Sequence, residues 1–464
     1  MQIFMMIAAL GMALIAVTGL LLYLNRGRGA KAAAHAAAEA EMPSPPPDRG
    51  ADLYVIHASQ NGMAERLAWQ TAAALRCRGQ TVEVLALGAL DGASLAGMRR
   101  VLFVVSTFGE GEAPDPAQPF VRRAMSASVD LSGLEYALLA LGDRVYPQFC
   151  AFGRRLDAWL QAQGARLLAA RIEVNNGEAK ALAHWDRLVH SLGGQGEVSA
   201  ESQAPTRWRL VERVELNTGS LGLPCFHLAF EAVDAVPGSW QAGDTVSIAI
   251  PVTPAPRVPT AASEPLWRSY SIASVPEEGR LCLLVRQVRR EDGQLGQGSG
   301  WLTRDLPMQG EIALHLREHA DFHVTDGPQP LILIGNGTGL AALRAHLMQR
   351  KRLGRHENWL VFGERQRARD FHYRSQIEAW AVSGHLARLS LAFSRDGDGP
   401  RYVQDSLRAQ SEVLCQWVDR GAWVLVSGSA KGMATEVDTA LREVLGAARY
   451  DALLAQGRYR RDVY

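Results

Sequence analysis

The sequence has few of the residues that crosslinks and metal sites require. Its 464 residues include only five cysteines, which are widely spaced and never form a C-x-x-C pair. A disulfide framework, a zinc site and an iron–sulfur site are therefore disfavoured, and the composition is typical of a reducing compartment. An excess of charge of one sign is also lacking, since 49 basic side chains face 48 acidic ones. This balance argues against a surface that binds nucleic acid.

A long apolar run occurs once, near the N-terminus. Residues 3–22 carry no charge and are numerous enough to cross the hydrocarbon core of a bilayer as one helix. Arg26, Arg28 and Lys31 follow the run, and the positive-inside rule then places the rest of the chain in the cytoplasm. A cleaved signal peptide would carry its positive charges before the apolar run. We therefore predict a single-pass anchor over residues 1–24 and a location at the inner (cytoplasmic) membrane.

Composition divides the rest of the chain into segments. Residues 25–50 are rich in alanine and contain four prolines, so we predict an unfolded tether there. Residues 191–205 are rich in Gly, Ser, Gln and Glu, which is typical of a hinge between domains. The segments left between these linkers are 51–190, 206–326 and 327–464, and each is long enough for one domain.

The first of these segments alternates strands with helices. Residues 53–57, 101–106 and 136–141 are apolar runs of strand length, and residues 65–77 have helical spacing. This alternation predicts a doubly wound parallel sheet, in which ligand-binding loops follow the carboxyl ends of the strands.

Three loops that contain glycine follow these strands. The first precedes a helix, whose N-terminal N–H groups suit a phosphate, and the other two place an aromatic ring beside glycines. The residues that we assign to cofactor binding here are Ser59, Gln60, Asn61, Gly62, Met63, Thr107, Phe108, Gly109, Gly142, Asp143, Tyr146 and Phe149. The loops resemble those of the flavodoxin-like FMN domain in diflavin NADPH reductases. This resemblance implies that Phe108 and Tyr146 stack on the flavin and that residues 59–62 hold its phosphate.

The second segment has strand-like runs without helices between them, which predicts a small antiparallel barrel. These runs are residues 209–215, 225–230, 245–250 and 281–288. An R-x-Y-S motif and a glycine-rich helix start lie in the same segment, in Arg268, Tyr270, Ser271, Gly298 and Ser299. Both motifs resemble the FAD-binding barrel of the ferredoxin-reductase family. The resemblance implies that Arg268 and the second motif bind the FAD pyrophosphate, that Tyr270 lies on the flavin face, and that Ser271 lies near flavin N5.

The third segment begins with the features of a dinucleotide-binding unit. A buried run at 330–334 leads into a glycine-rich turn that contains Gly337, Thr338 and Gly339. Further along, a hydroxyl, two guanidiniums and an aromatic ring suit a 2′-phosphate, in Ser394, Arg395, Arg401 and Tyr402. The segment resembles the NADP-binding domain of the same family.

The family resemblance also implies a site for hydride transfer. Ser271 and Asp462 match the family's partners at that site, and Ser427 stands where the family usually has a cysteine. The C-terminal Tyr464 matches the ring that covers the FAD in bacterial sulfite reductase flavoprotein subunits. We therefore assign Ser271, Asp462, Tyr464 and Ser427 to catalysis.

The predicted fold class is a multidomain α/β protein. It consists of an N-terminal transmembrane helix, a flavodoxin-like parallel sheet, an antiparallel β-barrel that binds FAD, and a Rossmann-like domain that binds NADP. The stretch from residue 209 to residue 268 is too short for the helical connecting domain of the longer family members. A compact diflavin reductase is therefore predicted.

The implied activity is NADPH-dependent electron transfer at a membrane. Electrons would pass from NADPH to FAD, to FMN and then to a one-electron acceptor, such as a sulfite reductase haem subunit, another haem or iron protein, or a ferric chelate. Glu110, Glu112 and Asp115 near the FMN loops are candidates to attract a basic partner. Two alternatives stay open: a two-electron FAD-dependent reductase with weak or absent FMN, and a non-catalytic redox-sensing or assembly protein.

Overall fold

A computed structural model describes residues 51–464, apart from residues 52, 61, 77–79, 110, 145, 196–204, 235–238, 252–264, 291 and 398. The described residues contain three sheets: one of six strands, a second of six strands, and one of five strands. The sheets follow one another along the chain, so each is the centre of one structural unit.

The first unit is a parallel sheet with strand order β2-β1-β3-β4, and β5 and β6 both pair with β4. Its strands are β1 (Leu53–Ala58), β2 (Val82–Ala86), β3 (Arg100–Ser106), β4 (Glu135–Gly142), β5 (Arg166–Leu167) and β6 (Ile172–Asn175). Its helices are α1 (Met63–Arg76), α2 (Gly92–Ala96), α3 (Gln118–Arg123), α4 (Ala151–Ala162) and α5 (Ala179–Ser191). Short 3₁₀ turns cover Leu87–Ala89 and Asp115–Ala117.

The central strand of this unit explains why the sheet lies between helices. In β3, every residue from Val101 to Val105 is fully buried. Val101, Phe103 and Val105 pack into one hydrophobic cluster, and Leu102 and Val104 pack into another on the opposite face. An unbroken apolar strand requires such cover on both faces, so the polar loops are left at the strand ends.

The second unit is an antiparallel sheet with strand order β10-β9-β12-β7-β8-β11. Its strands are β7 (Thr206–Glu215), β8 (Cys225–Ala232), β9 (Thr245–Ile250), β10 (Leu266–Ser271), β11 (Leu281–Arg286) and β12 (Glu311–Arg317). The short helix α6 (Gln297–Gly300) continues as a π-helical turn, Trp301–Asp305, and 3₁₀ turns cover Pro276–Glu278 and Ala320–Phe322. A bridge between Ile272 and Leu283 links the two outer strands, so the sheet closes on itself.

The third unit is a parallel sheet with strand order β15-β14-β13-β16-β17. Its strands are β13 (Leu331–Asn336), β14 (Asn358–Glu364), β15 (Arg388–Phe393), β16 (Trp423–Gly428) and β17 (Tyr459–Val463). Its helices are α7 (Leu340–Arg352), α8 (Arg367–Asp370), α9 (Arg374–Val382), α10 (Val403–Ala409), α11 (Ser411–Asp419) and α12 (Thr435–Ala455), which is interrupted at Gly446. A 3₁₀ turn, Gly337–Gly339, joins β13 to α7, and a π-helical turn, Ala430–Ala434, precedes α12. The order changes direction at β13, where open parallel sheets bind nucleotides.

The α/β architecture with parallel sheets is confirmed, but the predicted fold class is wrong in its membrane-spanning element. Over the described part of residues 51–464, no helix is both long and apolar enough to span a bilayer. The predicted anchor at 1–24 and the predicted tether at 25–50 lie outside the described residues. Most of the predicted hinge lies outside them too, and its first residue ends α5.

Gly339, in the turn after β13, lies against the backbone of Ser427 in β16. A substitution at Gly339 tests how close this contact is. A Cβ at this position would lie 2.0 Å from the backbone oxygen of Ser427, so only glycine fits the turn. We expect Gly339→Ala to destabilise the third unit by about 1–3 kcal/mol, because a clash with backbone cannot be relieved by a side-chain movement. Calorimetry should show a lower unfolding temperature, with weaker NADPH binding.

Gly133→Ala is the matched control, because a Cβ at Gly133 meets no atom within 4 Å. Unchanged stability and unchanged NADPH affinity in Gly339→Ala would show that the turn has more room than the structure gives it.

Candidate functional site

The predicted phosphate loop lies between β1 and α1. Ser59 is buried, and its Oγ accepts a hydrogen bond from the N–H of Ala64 at 3.2 Å. Gly62 has a φ of 77°, which favours glycine, and Met63 is the first residue of α1. The loop therefore turns directly into the amino end of a 14-residue helix, whose first N–H groups suit a phosphate. Asn61 lies outside the described residues.

The first aromatic loop lies at the same edge of the sheet. The N–H of Thr107 donates to the carbonyl oxygen of Leu141 at 2.9 Å, and Thr107 Oγ1 accepts from the N–H of Phe152 at 3.2 Å. Gly109 has a φ of 53°, and no atom lies within 4 Å of the position a Cβ would take. The space beside Gly109 suits a planar ring.

The second aromatic loop is closely packed at its base and open at its tip. A Cβ on Gly142 would lie 2.9 Å from the N of Cys150, and burial raises the pKa of that thiol to about 12. The N–H of Tyr146 donates to the carbonyl oxygen of Asp143 at 3.1 Å, and the Tyr146 ring is exposed. Phe149 is half-buried. Of the two rings predicted to stack on the flavin, Tyr146 is the one that faces outwards.

The other predicted ring, Phe108, lies against a different unit. It packs beside the hydrophobic cluster of the third sheet, and the guanidinium carbon of Arg461 lies 5.9 Å from its ring centroid. The first aromatic loop is thus a contact surface between the first and third units.

The two motifs predicted to bind FAD meet in the second unit. A Cβ on Gly298 would lie 2.9 Å from the hydroxyl of Tyr270 and 3.0 Å from Cγ of Arg268. Ser299 is buried, and its Oγ accepts a hydrogen bond from the N–H of Val288 at 3.0 Å. The strand and the helix start form one cradle, in which the absence of a side chain at Gly298 permits this close approach.

The residues predicted for hydride transfer come together from three strands. Ser271, at the end of β10, donates from Oγ to Asp462 Oδ2 at 2.6 Å. Ser427 in β16 lies opposite Asp462 in the parallel register and donates to the same oxygen at 3.4 Å. Ser427 is 0% exposed and Asp462 is 7% exposed. Tyr464 donates from its hydroxyl to Thr338 Oγ1 at 3.0 Å, so the C-terminus lies beside the glycine-rich turn.

Asp244 of the barrel lies beside this site, because its backbone carbonyl oxygen accepts a hydrogen bond at 3.0 Å from the N–H of Ile272, the residue after Ser271. Asp244 Oδ1 contacts His323 Nε2 at 2.6 Å and accepts from the N–H of His319 at 3.0 Å, while its Oδ2 accepts from the N–H of Gln241 at 2.8 Å. Burial opposes the charge of Asp244, but these hydrogen bonds outweigh burial and hold the pKa of the carboxyl below its ordinary value. Burial lowers the pKa of His319, and the charge of nearby Asp462 acts against that shift.

Arg286, at the end of the barrel strand β11, lies beside the glycine-rich turn of the third unit. Gly337 has a φ of 55°, and Arg286 Nη2 lies 3.4 Å from the position of a Cβ there. Arg286 forms an ion pair with Glu364, whose side chain is buried. Sequence analysis missed Arg286 because it is a single residue at the end of β11 with no motif around it. A cation at this turn suits the pyrophosphate of a dinucleotide.

The four residues predicted to bind a 2′-phosphate lie on one exposed turn. A backbone hydrogen bond of 3.2 Å closes residues 393–400, so the pair Ser394 and Arg395 returns to the pair Arg401 and Tyr402. The Arg401 guanidinium lies 5.8 Å from the Tyr402 ring centroid. Both arginines are exposed, and neither forms an ion pair with a carboxylate of the described residues. The turn thus offers two cations to a phosphate.

The chain is similar to two families of known domains. Residues 55–185 match the flavodoxin family, and residues 333–439 match the oxidoreductase NAD-binding domain family. These matches fall on the first and third units.

The relatives are named "Sulfite reductase [NADPH] flavoprotein alpha-component". The protein of Mannheimia succiniciproducens is 27% identical, over 90% of this chain and 91% of the relative. Those of Neisseria meningitidis serogroup C and Vibrio cholerae O1 El Tor are each 28% identical, over 88% and 89% of this chain and 89% and 87% of the relatives. The first alignment spans 542 positions, which exceeds the 464 residues of this chain, so the relative has segments without a counterpart here.

The predicted localisation at the inner membrane is corrected. That prediction depended on a spanning helix, and the part of the chain that the structure describes has no such helix. The similarity over nine-tenths of the chain is to proteins named as components of a sulfite reductase.

Asp462→Asn tests whether the Asp462 carboxylate is needed at the predicted hydride-transfer site. The variant keeps the size of the side chain and removes the charge that orients Ser271. We expect the bleaching of FAD by NADPH to slow by about a hundredfold, because small displacements of a positioning group have effects of that size. Anaerobic stopped-flow absorbance measures this step.

Asp419→Asn is the matched control, because Asp419 is exposed and pairs only with Arg449 among the described residues. A rate in Asp462→Asn equal to that of this control would remove Asp462 from the hydride-transfer site.

Proposed function

We propose that this NADPH-dependent diflavin reductase, whose cofactors are FMN, FAD and NADPH, transfers electrons from NADPH through FAD and FMN to a one-electron acceptor. The observation that carries the proposal is the hydrogen bond from Ser271 to Asp462. It joins the end of the predicted FAD-binding strand to the last strand of the predicted NADP-binding sheet. A site between two nucleotide cradles suits hydride transfer from one nucleotide to the other.

NADPH supplies two electrons as a hydride, whereas flavins accept a hydride and release single electrons. The residues of this chain bind, orient and shield those groups. Arg268 and Ser299 would hold the FAD pyrophosphate, and Tyr270 would lie along the flavin. Arg286 and the turn at 337–339 would hold the NADPH pyrophosphate.

Asp462 orients the groups at the hydride-transfer site. Its Oδ2 accepts from both Ser271 and Ser427, so each hydroxyl is fixed with its proton directed at the carboxylate. The oxygen lone pairs of Ser271 are left for the N5 side of the flavin. The Tyr464 side chain is exposed and is held to Thr338 by one hydrogen bond, so its ring could move to admit a nicotinamide.

Arg395 and Arg401 are proposed to select NADPH over NADH. Each guanidinium would form charge-assisted hydrogen bonds to the 2′-phosphate, worth about 1.5–3 kcal/mol. Arg395→Ala and Arg401→Ala should each raise the KM for NADPH by about tenfold or more and leave the KM for NADH nearly unchanged. Steady-state kinetics with both nucleotides measures this.

Arg420→Ala is the control, since Arg420 is an exposed arginine of the third unit that pairs with Glu357. Equal losses with NADPH and NADH would place the 2′-phosphate elsewhere.

The acceptor is proposed to be a haem or iron protein. The relatives are named as one component of an NADPH sulfite reductase, which supports a separate component that receives the electrons. A sulfite reductase haem subunit is the acceptor that this similarity favours.

The function is tested by removing FMN. Purified protein should yield FMN and FAD in a ratio of about one to one, because each of two separate cradles holds one flavin. After FMN is stripped, reduction of the one-electron acceptor cytochrome c should be lost, while NADPH still bleaches FAD. Restoring FMN should restore cytochrome c reduction.

A protein that binds only FAD and reduces cytochrome c equally well without FMN would contradict the proposed electron path. That result would favour an FAD-dependent reductase in which FMN is weakly bound or absent.

A further inference from the structure

The first and third units are joined by an ion pair that no motif indicates. We propose that Asp115 and Arg461 are positioning residues for electron transfer between the flavins, because their ion pair holds the FMN loops against the strand that carries Asp462. This inference rests on the proposed function. It also gives the acidic edge of the first unit a partner within the chain, whereas the sequence analysis assigned that edge to an external partner.

The contact is specific in its geometry. Arg461 Nε lies 3.0 Å from each carboxylate oxygen of Asp115, and Nη2 makes a further contact with Oδ1. Glu112 Oε2 lies 3.7 Å from the same guanidinium. The side chain of Arg461 is only 11% exposed and that of Asp115 is 16% exposed, so the pair is mostly shielded from water. Shielded pairs of this kind are weakened less by salt than surface pairs.

Gln60 of the predicted phosphate loop contacts both partners. The N–H of Asp115 donates to Gln60 Oε1 at 2.7 Å, and Gln60 Nε2 donates to Asp115 Oδ2 at 3.3 Å. The same Nε2 also donates to the backbone oxygen of Arg461 at 3.4 Å. With Phe108 packed beside Arg461, residues of two predicted FMN loops meet β17. Docking therefore brings the flavin loops themselves to the third unit, not a remote surface.

The strand β17 connects this contact to the hydride-transfer site. Arg461 and Asp462 are adjacent, and successive side chains of a strand point to opposite faces of the sheet. Arg461 therefore faces Asp115, while Asp462 faces Ser271. One strand thus positions the FMN loops and the hydride-transfer site relative to each other.

The two charges depend on each other. Burial opposes the charge of Arg461, but Asp115 outweighs the burial and holds the pKa of the guanidinium above its ordinary value. Removing one member of such a pair leaves an uncompensated charge, which is more destabilising than exchanging both members. Exchange of the two charges is consequently the sharpest test.

The test compares Asp115→Arg, Arg461→Asp and the double exchange in the full-length holoprotein. Small-angle scattering reports the radius of gyration, and stopped-flow absorbance reports FMN reduction after FAD bleaching. We expect each single variant to increase the radius and to slow the FMN phase by about tenfold or more. The double exchange should restore both. Asp115→Asn should move both measurements in the same direction as Asp115→Arg but less far.

Asp130→Arg is the matched control, because it makes the same change of charge at an exposed position of the first unit and should alter neither measurement. Single variants with wild-type radius and wild-type FMN phase, or a double exchange no better than the single variants, would overturn the inference. If wild-type protein shows no FMN phase at all, the proposed function fails, while the scattering data still test the ion pair.

Discussion

The carboxylate of Asp462 is a charge held inside the protein, and burying it without hydrogen-bond partners would cost several kcal/mol. Its partners are hydroxyls from two other strands, Ser271 at 2.6 Å and Ser427 at 3.4 Å. This requirement aligns the end of the barrel strand β10 with the carboxyl ends of β16 and β17. The end of β10 is thereby fixed against the sheet that carries the glycine-rich turn.

The neighbouring residue in β17 imposes a second constraint. Arg461 is nearly as buried, and its partner, Asp115, is supplied by the first unit. The contact consists of this ion pair, the hydrogen bonds of Gln60 and the packing of Phe108. An interface of that kind suits a reductase whose FMN must face FAD in one step and an external acceptor in the next, because it forms and breaks at modest cost.

Much of the site follows from local patterns in the sequence. The loops at 59–63 and 107–109 were predictable because apolar strands that end in glycine-bearing turns place ligands at the carboxyl edge of a parallel sheet. The meeting of Ser271, Ser427 and Asp462 was expected only from the family resemblance, since no local pattern links β10 to β17. His319 and Arg286 were missed because each is a single polar residue outside any motif. Asp115 and Arg461 are 346 positions apart, and only the packing of the units brings them together.

The described part of the structure does not support the predicted transmembrane helix. Apolar length and flanking charge are local properties of residues 1–24, and these residues lie outside the described part of the chain. Where the structure does describe helices, none has the length and apolar character of a span.

The proposed path is that FAD would accept the hydride beside Asp462 and that electrons would leave through FMN docked on the same strand. We make this path our central claim. Anaerobic mixing with one equivalent of NADPH, followed by absorbance, tests this claim most directly. We predict two phases in the native protein, a fast bleaching and a slower redistribution, with the second phase missing from FMN-depleted protein. One identical phase in both proteins would contradict the claim.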